Sequence, residues 1–130
     1  MTIVKEHFDD LGFMQSEIDK YMFANDKLTV YINSGLDIFP NHPLCNSHRS
    51  SEPCILTFEN VKLYMLEIYE YKDSTAQDFK GKKIVKNDFS NLKSDNAHYE
   101  QYSFEGVLKH PFAWISGDIF AASFYLDDLK

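Results

Sequence analysis

The chain has 130 residues, a length that fits a single domain with its own hydrophobic core. Hydrophobic residues make up 44% of the sequence, including eleven Phe and eight Tyr, and this composition excludes an intrinsically disordered chain. Twenty acidic residues against thirteen basic ones give a net charge of -7, which disfavours nucleic acid and anionic membranes as partners and favours a basic protein.

The first segment is predicted to be a short N-terminal helix. In residues 3–14, apolar side chains such as Val4, Phe8 and Leu11 recur at helical spacing, and Gly12 marks the end. The opening residues have no basic cluster followed by an apolar run, and no stretch of the sequence approaches eighteen apolar residues. We therefore expect a cytoplasmic protein with no membrane segment and with both cysteines as free thiols.

The next segment is predicted to be a β-hairpin followed by a loop. Residues 28–32 alternate apolar and polar side chains, the run 18–23 is largely apolar, and the pair Asn25-Asp26 between them has turn chemistry. Prolines and small polar residues then predict a loop over residues 40–53.

The remainder of the chain is predicted to form strands on both sides of a polar stretch. Residues 55–71 are rich in β-branched and aromatic side chains, with a turn or bulge expected at Asn60. Residues 72–97 are polar and predict long loops with a weak edge strand, for which Leu92 is one of the few apolar anchors. Alternation returns at residues 102–108 and 112–126, separated by a turn at His110-Pro111.

These elements predict a mainly β fold in a single domain, residues 1–130. Their spacing indicates about six to eight antiparallel strands, arranged as an antiparallel β-sandwich or a half-open barrel with the short N-terminal helix. Within 112–126, Asp118 shares parity with Trp114 and Phe120 on a strand that reads as buried. A buried, hydrogen-bonded carboxylate is therefore expected there, with a catalytic role as the alternative.

The loop sequence FPNHPLCNSHRSSEPC, residues 39–54, contains the residues with the richest chemistry. His42, Cys45, His48 and Cys54 are the thiol and imidazole ligands that zinc prefers, and they are the candidate metal ligands. Their crowding within thirteen residues differs from the two separated pairs of familiar structural zinc sites. A plain polar loop that binds no metal is the alternative.

Cysteine chemistry offers a second interpretation of the same loop. Cys45 could act as a nucleophile with His48 or His42 as its base, although no third group that would orient the histidine is evident. Cys54, at the start of a predicted strand, fits a small buried hydrophobic residue equally well.

The remaining charged residues do not assemble a complete catalytic set, and no catalytic or cofactor-binding residue is assigned. Paired carboxylates such as Asp9-Asp10 and Asp127-Asp128 are interpreted as solvated surface groups. The lysines around Gly81 lack the glycines and the helix of a phosphate-binding loop, so they are interpreted as solubilising charge.

Three short motifs carry a resemblance to a known group of proteins. SEI at residues 16–18, NDKLTV at 25–30 and LTFENV at 56–61 resemble the opening strands of small bacterial β-rich immunity proteins of polymorphic toxin systems. The resemblance spans residues 16–61. It implies an antiparallel β domain without enzymatic activity that binds a partner protein.

Three functions remain open from the sequence. A non-catalytic, immunity-like or antitoxin-like domain that binds a basic partner fits the acidity of the chain. A small zinc-binding or hydrolytic protein would use the loop from His42 to Cys54. A structural module could instead self-associate as a homodimer through a sheet edge.

Overall fold

The computed structural model describes residues 2–89 and 98–130, and within these ranges the regular secondary structure is almost entirely β-strand. The prediction of a mainly β fold is confirmed. The strands are β1 Ile3–Lys5, β2 Leu11–Gly12, β3 Glu17–Ala24, β4 Lys27–Ser34, β5 Asp37–Ile38, β6 Cys54–Tyr71, β7 Phe79–Asp88, β8 Glu100–Leu108 and β9 Ala113–Asp127. No helix formed by these residues has the length and apolar character needed to cross a membrane.

Seven of the strands form one sheet, and five of them close into a ring. The sheet order is β1-β9-β8-β3-β4-β6-β7, and an additional pairing of β9 with β6 joins the two sides. The ring is therefore β3-β4-β6-β9-β8. Strand directions cannot alternate completely around a ring with an odd number of strands, so one parallel pair is unavoidable. The sheet is mixed, and the prediction of a purely antiparallel sheet is wrong at this one pair, β3 with β8.

The parallel pair between β3 and β8, here called the seam, is short. Glu17 faces Val107 and Ile18 faces Leu108 across it. The Val107 amide donates to the carbonyl of Ser16 at 2.9 Å, and the Lys109 amide donates to the carbonyl of Ile18 at 3.3 Å. Few backbone hydrogen bonds thus complete the ring at this position.

The two strands of the seam can approach each other because residue 106 is a glycine and has no side chain. The fully buried Ser16 places its hydroxyl 2.7 Å from the carbonyl oxygen of Glu105, to which it donates. A Cβ at Gly106 would lie 2.8 Å from the Ser16 carbonyl oxygen and closer still to its hydroxyl. Glycine at residue 106 therefore lets the two backbones approach closely enough to pair.

The core inside the ring is built around an aromatic cluster. Phe58 and Phe124 are almost completely buried, with their ring centroids 5.2 Å apart. Phe8 packs on this pair from the N-terminal segment, 4.9 Å from the ring of Phe124, and lies 5.1 Å from the ring of Tyr102. The N-terminal segment is thus anchored to the ring strands by one aromatic side chain.

The predicted N-terminal helix is wrong. Residues 3–14 contain strand β1, a three-residue 3-10 turn at Phe8–Asp10 and the short strand β2. Glu6 and His7 both have positive φ, 63° and 62°, which breaks any helix. The helix-like spacing of apolar residues has another cause: Val4 in strand β1 and Phe8 in the 3-10 turn each pack against the core.

The predicted hairpin is confirmed, and so is the loop over residues 40–53. Asn25 and Asp26 have φ of 54° and 63°, the left-handed values that tight two-residue turns require, and they connect β3 to β4. Asn60 also has a positive φ, 52°, so the backbone is irregular there, but strand β6 continues through it without a turn. β7 is the last strand of the sheet order, as expected for an edge strand, and Leu92 lies outside the described residues.

Strand β9 changes which face it buries part-way along its length. Ile119, an odd-numbered residue, is fully buried. Residues 122–123 are both less buried, and beyond them Leu126, an even-numbered residue, is fully buried. The facing strand β6 shifts register by one residue nearby, between Val61 and Leu63. The extra residue belongs to β6 and shifts the faces of β6, whereas β9 changes the parity of its buried residues at its own residues 122–123.

This change overturns one prediction from the alternation pattern. Trp114, Asp118 and Phe120 do share a face, but it is the outer, half-buried face of β9. Asp118 accepts a hydrogen bond from the Ser103 hydroxyl at 2.7 Å. Asp118 is therefore hydrogen-bonded as expected, but it is not buried. Near the end of β9 the even-numbered residues face the core, whereas near its beginning the odd-numbered residues do.

The seam makes a direct prediction about stability. Gly106→Ala should lower the free energy of unfolding by roughly 1–3 kcal/mol, the usual cost of overpacking, because the new methyl group collides with the Ser16 backbone. Gly81→Ala is the matched control, since a Cβ there meets nothing within 4 Å, and a change within about 0.5 kcal/mol is expected. Urea unfolding of both variants measures the difference, and equal stability would contradict the close approach at the seam.

Candidate functional site

The two histidines of the predicted metal loop, residues 39–54 and here called the histidine loop, are both buried. His42 is 2% exposed, and its Nδ1 accepts a hydrogen bond from the Leu44 amide at 3.0 Å. The proton of the neutral ring therefore sits on Nε2, which has no hydrogen-bond partner among the described residues. Burial lowers the pKa of His42, and the neighbouring His7 lowers it further, so the ring is neutral at physiological pH.

His48 occupies a second buried position in the same loop. It is 5% exposed, and neither ring nitrogen has a hydrogen-bond partner within the described part of the chain. Burial lowers its pKa, although the nearby Glu52 carboxylate acts in the opposite direction. Glu52 itself accepts hydrogen bonds from the Arg49 amide at 2.7 Å and from Lys130 Nζ at 2.8 Å, which hold the loop closed.

The two cysteines differ in their surroundings. Cys54, at the first position of β6, is 1% exposed, and burial raises the pKa of its thiol to about 12. It is a small buried core residue, one of the interpretations that the sequence left open. Cys45 is half-buried, and both thiols are free.

The structure does not bring His42, Cys45, His48 and Cys54 together as a metal centre. Residues 2–89 and 98–130 contain no group of three or more His, Cys, Asp or Glu side chains placed to hold a metal ion. Zinc binding by the loop stays a prediction, and it would require the Cys54 thiol to ionise in a buried environment that opposes ionisation.

A cavity next to this loop gathers several charged side chains. It has a volume of about 520 Å³ and is here called the acidic recess. Its lining comes from the 3-10 turn with the two residues before it and from the start of β8. The lining residues are Glu6, His7, Phe8, Asp9, Asp10, Glu100, Gln101 and Tyr102.

The wall formed by the N-terminal segment is held by backbone contacts on both sides. The Glu6 amide donates to the Phe124 carbonyl at 2.9 Å, which ties the segment to β9. The Phe39 amide donates to the Asp10 carbonyl at 2.9 Å, which ties it to the histidine loop. Between these two anchors the positive φ values of Glu6 and His7 turn the chain so that Phe8 enters the core.

The acidic recess carries four carboxylates with little local compensation. His7 Nδ1 lies 3.1 Å from Asp10 Oδ2, and His98 Nε2 lies 3.9 Å from a Glu100 oxygen. Glu6 and Asp9 form no ion pair with any residue that the structure describes. No lysine or arginine belongs to the described lining, so the acidic recess favours a cationic group.

Tyr102 is the most buried residue in the lining of the acidic recess. The residue is 3% exposed, and its buried hydroxyl makes no hydrogen bond of normal geometry in the described structure, although the Glu100 carboxylate lies close enough to act on it as an acceptor. Burial raises the pKa of Tyr102 to about 12, and the negative charges of Glu6 and Glu100 add to this effect. The phenol therefore stays protonated and neutral throughout the physiological pH range.

The sequence indicated only part of this site. Asp9-Asp10 was noted as a carboxylate pair and interpreted as solvated surface. Tyr102 was expected to alternate on a strand, and the sequence left open whether it packs in the sheet or, with other tyrosines, lines a recognition surface. Glu6 and Glu100 were missed. One available signal was that Glu100 and Tyr102 are two residues apart on a strand, which places them on the same face.

The histidine loop and the acidic recess are neighbours. The rings of His7 and His42 lie 5.6 Å apart in an edge-to-face arrangement.

Comparison of the chain with family models, with curated proteins and with solved structures found no significant match.

The two buried histidines predict a loss of stability in mild acid. Their pKa values are lowered in the folded state relative to about 6.5 in the unfolded chain. Between the folded and unfolded pKa values only the unfolded chain takes up the proton, so stability is complete above about pH 6.5 and falls as the pH drops below it. Each histidine contributes at most about 1.4 kcal/mol of unfolding free energy per pH unit.

Urea unfolding at pH 7.5 and pH 5.5 measures this effect. His48→Leu should reduce the difference between the two pH values, because the buried titrating group is removed. His98→Gln is the control, since the His98 side chain is 85% exposed, and it should leave the difference unchanged. An equal pH dependence in the parent and in His48→Leu would contradict a neutral, buried His48.

Proposed function

We propose that this chain is a non-catalytic, immunity-like domain that binds and neutralises a basic partner protein. The acidic recess carries the proposal, because it collects four carboxylates beside a buried tyrosine without a lysine or arginine in its described lining. The net charge of -7 supports it further, since a strongly acidic protein attracts a basic partner over long distances.

The chemistry of the described residues also favours binding over catalysis. The Cys54 thiol has a raised pKa, which disfavours the thiolate that a nucleophile or a zinc ligand requires. The His42 Nδ1 is already engaged by the Leu44 amide. A hydrolytic or zinc-dependent function would therefore need a rearranged loop, whereas partner binding uses the surface in its present form.

The test is reconstitution with the protein encoded by the gene beside this one, since immunity proteins of toxin systems are encoded next to their toxins. Co-purification and calorimetry should detect a stable complex whose affinity falls as ionic strength rises. The double variant Glu6→Lys/Asp9→Lys should weaken the complex at least tenfold. Co-expression should also protect cells from the partner's toxicity.

The matched control is Asp19→Lys/Glu105→Lys, which changes the net charge equally at exposed residues outside the acidic recess. Equal weakening by both double variants would mean that overall charge alone attracts the partner. Failure to form any complex would contradict the immunity-like function. Light scattering during the same chromatography would reveal self-association through the exposed edge strand β7, as a mass that rises with concentration.

A further inference from the structure

The Tyr102 hydroxyl is one of the buried polar groups that make no hydrogen bond of normal geometry within the described residues, as are the ring nitrogens of His48. The Tyr102 ring packs against Phe8, Phe58 and Phe124, and a phenylalanine would make the same ring contacts. The nearby Glu100 carboxylate is placed to take the hydroxyl hydrogen, but no described group donates to the Tyr102 oxygen, and a buried acceptor without a donor costs free energy. A hydrogen-bond donor from outside the isolated chain would complete this group. Because Tyr102 lines the acidic recess, that donor would arrive through this cavity.

The groups around the hydroxyl restrict the chemistry of that donor. The four carboxylates only accept hydrogen bonds, the Gln101 amide can both accept and donate, and the Tyr102 oxygen has lone pairs available. A ligand that only donates hydrogen bonds and carries positive charge complements this set. Among residues 2–89 and 98–130 no three potential ligands are placed for a metal ion, which argues against a bound divalent cation.

An arginine side chain fits these requirements better than a lysine side chain. Its guanidinium has five N–H donors in a planar fork that can pair with two carboxylates and a third acceptor at once. It is also more weakly hydrated than an ammonium group and stacks on aromatic rings such as Phe8, which lines the same cavity. The volume of about 520 Å³ lies within the range of sites that bind small ligands.

We propose that the acidic recess binds an arginine side chain of the partner protein, with Glu6 and Glu100 pairing with the guanidinium and Tyr102 accepting one of its N–H groups. This inference rests on the proposed partner-binding function and names the group that is recognised. Glu6 and Glu100 are exposed, so their carboxylates are accessible to the guanidinium. The arginine would act as the central anchor of the interface.

The probe is the blocked tripeptide acetyl-Gly-Arg-Gly-amide, titrated into the labelled protein and followed by NMR. We expect weak, saturable binding in the millimolar range, with shifts confined to the backbone of the acidic recess. The same peptide with citrulline, which keeps the shape and loses the charge, should cause no localised shifts. The lysine peptide should bind at least threefold more weakly than the arginine peptide.

Variants assign the interaction to particular atoms. Tyr102→Phe removes only the hydroxyl, and it should weaken arginine-peptide binding about fivefold while the protein stays folded, because the ring contacts remain. Glu100→Gln should weaken binding similarly by removing one charge. Glu105→Gln, an exposed acid on the same strand β8 but outside the cavity, is the control and should bind as the parent does.

Several results would overturn the proposal. These are the absence of localised shifts, equal binding of the citrulline peptide, unchanged binding by Tyr102→Phe, or tighter binding of calcium chloride than of the peptide at the same residues.

The test of the arginine site is separable from the test of the proposed function. If the neighbouring gene product binds but Tyr102→Phe and Glu100→Gln leave that affinity unchanged, the arginine site is wrong and partner binding stands. If the peptide binds but no partner complex forms, the arginine site stands and the immunity-like function fails.

Discussion

The fold depends on closing a ring of five strands, which forces one parallel contact into a sheet that is otherwise antiparallel. Parallel pairing is needed over only two residue pairs, so the contact relies on side-chain fit as well as on backbone hydrogen bonds. The absence of a side chain at Gly106 and the buried hydroxyl of Ser16 provide that fit. A larger residue at residue 106 would hold β8 away from β3 and open the ring at its shortest pairing.

The acidic recess is a consequence of this closure. β8 carries Glu100 and Tyr102 at one end and the seam residues at the other, so fixing the strand at the seam also fixes the wall of the cavity. The opposite wall is the N-terminal segment, which is tied to β9 through Glu6 and inserted into the core through Phe8. A rigid scaffold thus places four carboxylates from distant parts of the sequence around one buried hydroxyl. This preorganisation lowers the cost of ordering a binding site when a partner arrives.

The sequence predicts local features well and long-range ones poorly. The hairpin at Asn25-Asp26 was predicted correctly because residues that favour left-handed φ values, placed between two strand-like segments, are typical of a two-residue turn. The helix expected at residues 3–14 failed because apolar spacing does not reveal that Glu6 and His7 reverse the backbone. Asp118 was placed on the wrong face because β9 changes the parity of its buried residues at residues 122–123, and an alternation pattern read along one strand assumes a constant parity. The histidine loop was recognised as chemically rich, but burial of its imidazoles depends on packing that spacing cannot show. The acidic recess combines residues about 90 positions apart in the sequence, so only the closed ring reveals it.

Hydrogen exchange at the seam tests the closed ring most directly. The amides of Val107 and Lys109 donate across the parallel contact to the carbonyls of Ser16 and Ile18. If the ring is closed in solution, both amides should exchange slowly, with protection comparable to that of the central β6–β9 pairing. Exchange at the rate of exposed loop amides, while the β6–β9 amides stay protected, would show an open sheet and contradict this account of how the acidic recess is built.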